Sequence, residues 1–199
     1  GMDALCQVIE SYTSIRSQPI TDALAAKGIA LAARSLRRVY ADGSDVDARE
    51  DMAVAALLSG ITLTNVGLGA VHGFAAPLGA NFPIPHGAVC GALLPHVIAA
   101  NVVALREEST DHPALARYAE IGRTLTGEAT LADTAAIDAG VAWLAETACE
   151  LGIPPLGQFG LTAEDVPQMV ALAGKSSSMR YNPVKLSEQA LVDVLTRAM

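Results

Sequence analysis

The pattern of hydrophobic and polar positions predicts a chain built from helices. Apolar residues recur every three or four positions in several segments, which is the spacing of one helical face. The segments are about 2–12, 21–40, 45 onward, 113–124, 132–151, 162–173 (starting at Thr162 or Asp165) and 187 to the C-terminus. No sustained alternation or hairpin turn between alternating segments indicates a strand. The predicted class is therefore all-α.

The segment 53–105 contains no Asp, Glu, Lys or Arg, although it holds three of the four histidines. So apolar a run predicts the centre of the fold, because nothing in it favours the surface. The third helix is expected to enter this core through four apolar side chains, namely Leu57, Leu58, Ile61 and Leu63.

Glycine and proline residues divide the rest of this apolar segment. A break is predicted at 65–69, followed by a short helix that carries His72 and ends near residues 77–79. A loop with two prolines then leads to a helix from His86 to about Val103. Pro95 is expected to bend that helix or to mark a local break in it.

Composition and charge exclude several classes of function. The formal net charge of −8 argues against nucleic acid, which requires a basic face. No basic amphipathic segment suggests a membrane surface. The run 87–105 is apolar enough to resemble a transmembrane helix, but Pro95, His96 and Asn101 interrupt it, which favours a core helix. Three widely spaced cysteines in apolar surroundings predict reduced thiols in a cytoplasmic protein.

A few polar side chains in these apolar surroundings are candidates for chemistry. Asp3 and Gln7 share one face of the first helix. Prolines and glycines separate His72 from His86, so the two histidines are expected to converge from different elements. One carboxylate and two imidazoles form a credible site for a divalent metal ion. On spacing alone, two hydrogen-bonded structural histidines are the alternative. His96 is expected to be structural and His112 solvated.

Eight short segments carry a resemblance to a known family. They are Gly1-Met2-Asp3-Ala4-Leu5, Ile9-Glu10-Ser11-Tyr12, Gly69-Ala70-Val71-His72-Gly73, Pro77-Leu78-Gly79, Pro85-His86-Gly87, Leu93-Leu94-Pro95-His96-Val97, Gly152-Ile153-Pro154 and Asn182-Pro183. In this order they resemble the C-terminal domain of the iron-containing (group III) alcohol dehydrogenases. The resemblance implies the helical bundle of the iron-containing alcohol dehydrogenase and dehydroquinate synthase-like fold.

The resemblance also implies a metal site that binds Fe²⁺ or Zn²⁺. Asp3, His72 and His86 match three of the family's ligands, and the two histidines are the expected catalytic residues. The fourth ligand of the family is a histidine, and Gln7 stands at that position. A further histidine that lies near the nicotinamide in many members is replaced by Ala76. Gln7 is retained as a candidate ligand of lower affinity, since an amide oxygen binds these ions more weakly than imidazole.

Residues 1–199 are predicted to form one helical domain without a nucleotide-binding half. No strand, glycine loop and helix unit occurs, so NAD(P) would reach the site only through an N-terminal α/β domain absent from this chain. The expected function is the metal-binding substrate domain of an NAD(P)-dependent alcohol dehydrogenase, inactive alone. Its expected partners are a small alcohol or aldehyde, a nucleotide-binding domain or subunit, and further copies of itself. The alternatives are a metal-independent domain resembling maleylacetate reductases and a catalytically dead helical interaction domain.

Overall fold

The computed structural model describes residues 1–199 and confirms the all-α class. Its nine α-helices are α1 Met2–Thr13, α2 Pro19–Ala41, α3 Val46–Val66, α4 Ala70–Asn81, α5 His86–Glu108, α6 Pro113–Thr126, α7 Asp133–Glu150, α8 Val166–Ala173 and α9 Glu188–Arg197. Two short 3₁₀ turns, Leu156–Phe159 and Met179–Tyr181, lie in the connections. No strand is present.

Helix starts follow the local signals of the sequence. The Asp45 carboxylate accepts a hydrogen bond from the backbone of Ala48 and caps α3. Ser187 caps α9 in the same way through the amide of Ala190. Pro19 opens α2, where a missing backbone donor costs nothing. These caps satisfy backbone donors that have no partner inside the helix.

The interior is one continuous hydrophobic core of 46 buried residues drawn from the whole chain. Helices α1, α4 and α5 pass through it, and Leu5, Phe74 and Leu93 are fully buried. α5 is long and apolar enough to cross a membrane by length and composition. However, 61% of its most apolar window is buried within the chain, as expected for a core helix. The buried side chains of this chain thus pack into one continuous cluster.

Two helices run further than the sequence predicts. α4 does not end near residues 77–79 but continues through Pro77 to Asn81. Proline removes only one backbone donor, and the Asn81 amide donates a hydrogen bond to the Pro77 carbonyl at 2.8 Å, which supports the last turn. α5 passes through Pro95 and ends at Glu108 rather than near Val103.

The expectation that α3 lies inside the core is wrong for its outer face. Val54, Leu57 and Ile61 are 37%, 63% and 40% exposed. α3 packs against α2 and α1 on one side only, where Ala55 and Thr62 are fully buried. The chain itself therefore leaves an apolar stripe of α3 uncovered.

Helices α6 and α7 approach each other unusually closely, and two glycines make this possible. A Cβ atom on Gly122 would lie 1.8 Å from the carbonyl oxygen of Ala136. A Cβ atom on Gly140 would lie 2.7 Å from the Cα atom of Gly122. Any side chain at either position would force the helices apart.

Candidate metal centre

Three helices bring the predicted site residues together at one edge of the core. Asp3 is in the first turn of α1, His72 is in α4 and His86 begins α5. The Asp3 Oδ1 atom lies 3.2 Å from His72 Nε2 and 3.4 Å from His86 Nε2. The two imidazole rings are 5.4 Å apart at an angle of 52°. The side chains thus form one cluster, and their role as metal ligands stays a prediction.

Gln7 touches this cluster through Asp3. Its amide nitrogen donates a hydrogen bond to Asp3 Oδ2 at 2.9 Å. Its carbonyl oxygen accepts one from the hydroxyl of Ser59 on α3 at 2.8 Å. The opposite amide orientation would place an oxygen against the carboxylate, so the chemistry of the neighbours fixes this one. The Gln7 carbonyl therefore points to Ser59.

The sequence reasoning missed Cys90, which belongs to the cluster. Its sulfur lies 3.4 Å from Asp3 Oδ1, 3.8 Å from His72 Nε2 and 3.6 Å from His86 Nε2. One donor atom from each of the four residues lies within 4.8 Å of every other. The available signal was its spacing, because a residue four positions after His86 shares its helix face.

Glu10 was also missed, and it fixes the orientation of His72. Its carboxylate lies 2.6 Å from His72 Nδ1 and also accepts the backbone N–H of Val71 at 2.7 Å. Glu10 is only 5% exposed. A carboxylate that binds one imidazole nitrogen sets the tautomer and directs the other nitrogen toward a ligand. The signal was the helical spacing of Asp3, Gln7 and Glu10, which places three polar side chains on one face of α1.

The electrostatics of the cluster favour a cation. Burial lowers the pKa of His72, but hydrogen bonds with Asp3, Cys90 and Glu10 outweigh it and raise the pKa to about 12. Burial raises the pKa of Asp3, but hydrogen bonds from His72 and Cys90 bring it below its usual value. The metal-free cluster therefore carries a proton on His72 between two carboxylates.

The cysteines around the cluster differ in their ease of ionisation. Burial raises the pKa of the Cys6 thiol well above its ordinary value. A hydrogen bond with Cys6 lowers the pKa of Cys90 despite burial, and a hydrogen bond with His72 adds to this effect. All three cysteines are free, as predicted, although Cys149 is exposed rather than in apolar surroundings. Cys90 is thus the thiol of this pair that ionises more readily.

The donor set fits a divalent ion. Oxygen, imidazole nitrogen and sulfur together suit Fe²⁺ or Zn²⁺ better than a hard cation that prefers oxygen alone. The His72 side chain is 7% exposed and forms the floor of the cluster, whereas the His86 side chain is 52% exposed. The cluster is therefore closed by the core on one side and reachable from solvent on the other.

The remaining two histidines lie elsewhere. His96 lines a cavity of about 550 Å³ between α5 and α9. His112, which was expected to be solvated, is partly exposed, and its Nδ1 atom accepts the backbone N–H of Ala114 and caps α6. Neither residue contributes to the cluster.

Comparisons with known proteins define the class. The whole chain, residues 1–199, matches the family described as Fe-containing alcohol dehydrogenase family, C-terminal. It is 38% identical over 199 residues to the 1,3-propanediol dehydrogenase of Klebsiella pneumoniae, covering 100% of this chain and 49% of that enzyme. The structure of a 1,3-propanediol oxidoreductase matches with a TM-score of 0.90 at 35% identity, over 100% of this chain and 50% of that one. The structure of the alcohol dehydrogenase from Oenococcus oeni matches with a TM-score of 0.89 at 32% identity, over 100% of this chain and 50% of that one.

The chain therefore belongs to the iron-containing alcohol dehydrogenase family, and it corresponds to the family's C-terminal domain. This confirms the predicted resemblance and the predicted fold. The family is one of oxidoreductases, and membership implies the use of a metal and of NAD(P). The chain spans about half the length of the curated relatives it matches.

Proposed function

We propose that this chain is the metal-binding, substrate-side domain of an NAD(P)-dependent alcohol dehydrogenase that interconverts a small alcohol and its aldehyde. The observation that carries the proposal is the convergence of Asp3, His72 and His86 from three helices onto one point. A purely structural pair of histidines would not require a second carboxylate, the buried Glu10, to hold the far nitrogen of His72.

Asp3, His72 and His86 would hold the metal ion in this proposal. Fe²⁺ or Zn²⁺ bound there would supply Lewis-acid polarisation of the substrate oxygen. Glu10 retains the proton on His72 Nδ1, so that Nε2 stays available to the cluster. The apolar core behind His72 excludes water and strengthens charge interactions at the site. The exposed side of His86 marks the side from which the substrate arrives.

Hydride transfer would need a second component. No nucleotide-binding unit occurs among the helices of this chain, so NAD(P) would be bound by a nucleotide-binding domain or subunit. We propose that residues 1–199 alone are inactive, and that the enzyme works in the cytoplasm as a homo-oligomer. The exposed apolar stripe of Val54, Leu57 and Ile61 supports a surface that a partner covers.

Metal content tests the proposal directly. The chain would be loaded anaerobically with Fe²⁺ or Zn²⁺, desalted and analysed for bound metal. We expect about one ion per chain, and none in a His72→Ala, His86→Ala double variant. A His96→Ala, His112→Ala variant is the matched control, because it also loses two histidines and should keep the ion. Equal metal in all three proteins, or none in any, would contradict the proposal. NAD(P)-dependent turnover by the chain alone would contradict the proposed inactivity.

A further inference from the structure

We propose that Cys90, and not Gln7, supplies the fourth protein donor to the metal ion, and that Gln7 is a positioning residue for Asp3. The resulting set is one carboxylate oxygen, two imidazole nitrogens and one thiolate sulfur. The inference rests on the metal role proposed above and specifies its ligands. It concerns which side chains of this chain reach the ion.

The hydrogen bonds of Gln7 turn its amide nitrogen, and not its carbonyl oxygen, toward Asp3 and the cluster. Its amide nitrogen faces Asp3, and an amide N–H₂ group has no lone pair to offer a metal. Its carbonyl oxygen is held by Ser59 on the neighbouring helix α3. Turning this oxygen toward the cluster would replace the hydrogen bond between the Gln7 amide and the Asp3 carboxylate with two oxygens that face each other. Losing a hydrogen bond to a charged group costs about 1.5–3 kcal/mol.

The distances from Asp3 and Cys90 to the other donors are those expected of neighbouring ligands on one ion, which would bind the substrate oxygen as a further ligand. Bonds of about 2.0–2.1 Å to nitrogen or oxygen and about 2.3 Å to sulfur place neighbouring N and O donors about 3.3 Å apart, and sulfur about 3.6 Å from each. Asp3 Oδ1 lies 3.2 and 3.4 Å from the two imidazole nitrogens. The Cys90 sulfur lies 3.4, 3.8 and 3.6 Å from the same three atoms.

Cys90 is the one cysteine of this chain placed to do this. It lies on α5 one turn after His86, fully buried beneath the cluster. Of the two His72 nitrogens, the Cys6 sulfur approaches the far one, at 3.9 Å, and that nitrogen is bound to Glu10. Cys149 is exposed on α7. A thiolate also balances charge, since one thiolate and one carboxylate neutralise a divalent ion.

Cobalt(II) reports sulfur ligation without any measurement of activity. The chain would be loaded with Co²⁺ under argon, with a reductant that contains no thiol, and its absorption spectrum recorded. A sulfur-to-cobalt charge-transfer band in the near ultraviolet is expected for the unmodified chain. The matched control Cys149→Ser should keep this band. Cys90→Ser should lose the band but still bind cobalt, with a lower affinity than the unmodified chain. Gln7→Ala should keep the band and bind cobalt about 10–100-fold more weakly, as expected when a residue that supports a ligand is removed.

A second variant guards against misfolding of Cys90→Ser. In a Cys6→Ala, Cys149→Ser chain, Cys90 is the sole cysteine, and the charge-transfer band should remain. Bound cobalt without the band in the unmodified chain would overturn this inference and leave the proposed metal function intact. A charge-transfer band that survives in Cys90→Ser would likewise overturn the assignment of Cys90 and leave the proposed metal function intact. If Gln7→Ala binds no cobalt, the positioning role of Gln7 is overturned. Failure of every protein to bind cobalt or zinc would overturn the metal function together with the inference.

Discussion

Replacing Glu10 with glutamine should weaken metal binding without touching a proposed ligand. Each oxygen of the Glu10 carboxylate accepts one hydrogen bond, from the Val71 backbone and from His72 Nδ1. Glutamine offers a single acceptor. The Val71 backbone N–H can only donate, so it binds the amide oxygen of the new glutamine. The N–H₂ group of the glutamine therefore faces His72 Nδ1. The imidazole then accepts at Nδ1 and carries its proton on Nε2, which points into the cluster.

The magnitude follows from that change of tautomer. A protonated Nε2 has no lone pair for the ion, and keeping the original tautomer instead sets two buried donors against each other. Loss of such a carboxylate partner costs about 10–100-fold in metal affinity. This corresponds to about 1.4–2.8 kcal/mol of binding free energy. Burial of Glu10 places the effect toward the upper end, because water cannot replace the lost acceptor.

Competition against a chromogenic chelator at neutral pH would measure the Zn²⁺ affinity of Glu10→Gln. Glu120→Gln is the matched control, because Glu120 accepts a hydrogen bond from Tyr12 and does not touch the cluster. Circular dichroism would verify that both variants are folded. An unchanged affinity in folded Glu10→Gln would refute the view that Glu10 sets the tautomer of His72.

Three further predictions concern proton release, helix packing and a buried amide. With the pKa of His72 raised to about 12, the ion must displace its proton, so affinity should rise about tenfold per pH unit near neutrality for this proton, and more steeply if a Cys90 proton is displaced as well. Calorimetry in buffers of different ionisation enthalpy would count the protons, and pH-independent binding would contradict this. Gly122→Ala should lower the free energy of unfolding in urea by about 3 kcal/mol because the Ala136 carbonyl lies in the way, whereas Gly60→Ala, with open space around it, should raise it by about 0.5–1 kcal/mol. Equal free energies of unfolding for Gly122→Ala and Gly60→Ala would contradict the close packing of α6 against α7. Asn182→Ala should cost about 2 kcal/mol by the same assay, since its buried side chain joins a helix N-terminus to a second amide, and an unchanged stability would count against that role.

Hydrophobic periodicity predicted the fold well where the chain covers its own apolar faces. The order of the helices and the core position of α5 were predicted on that basis, and the structure confirms them. The outer face of α3 was misplaced because hydropathy reports how much apolar surface a segment carries, not whether the chain itself covers it. The end of α4 was misplaced because Pro77 weakens a helix without ending it.

The candidate site was predicted in part, for a related reason. The resemblance marked Asp3, His72 and His86, and the structure places them together. Cys90 and Glu10 lie on the same helix faces as those residues, but a one-dimensional pattern does not tell which face meets another helix. Their contribution depends on how α1, α4 and α5 pack, which only the folded core determines.

The long chain separation within the cluster gives the ion a second consequence. Asp3 and His72 are 69 positions apart, so an ion between them would close a loop through a third of the chain. A cross-link of that span restricts the unfolded ensemble by about 4 kcal/mol. A typical domain has only about 5–15 kcal/mol of net stability. The ion would then act as a reversible cross-link between α1 and α4. The supply of metal would govern how long this chain resists unfolding and proteolysis.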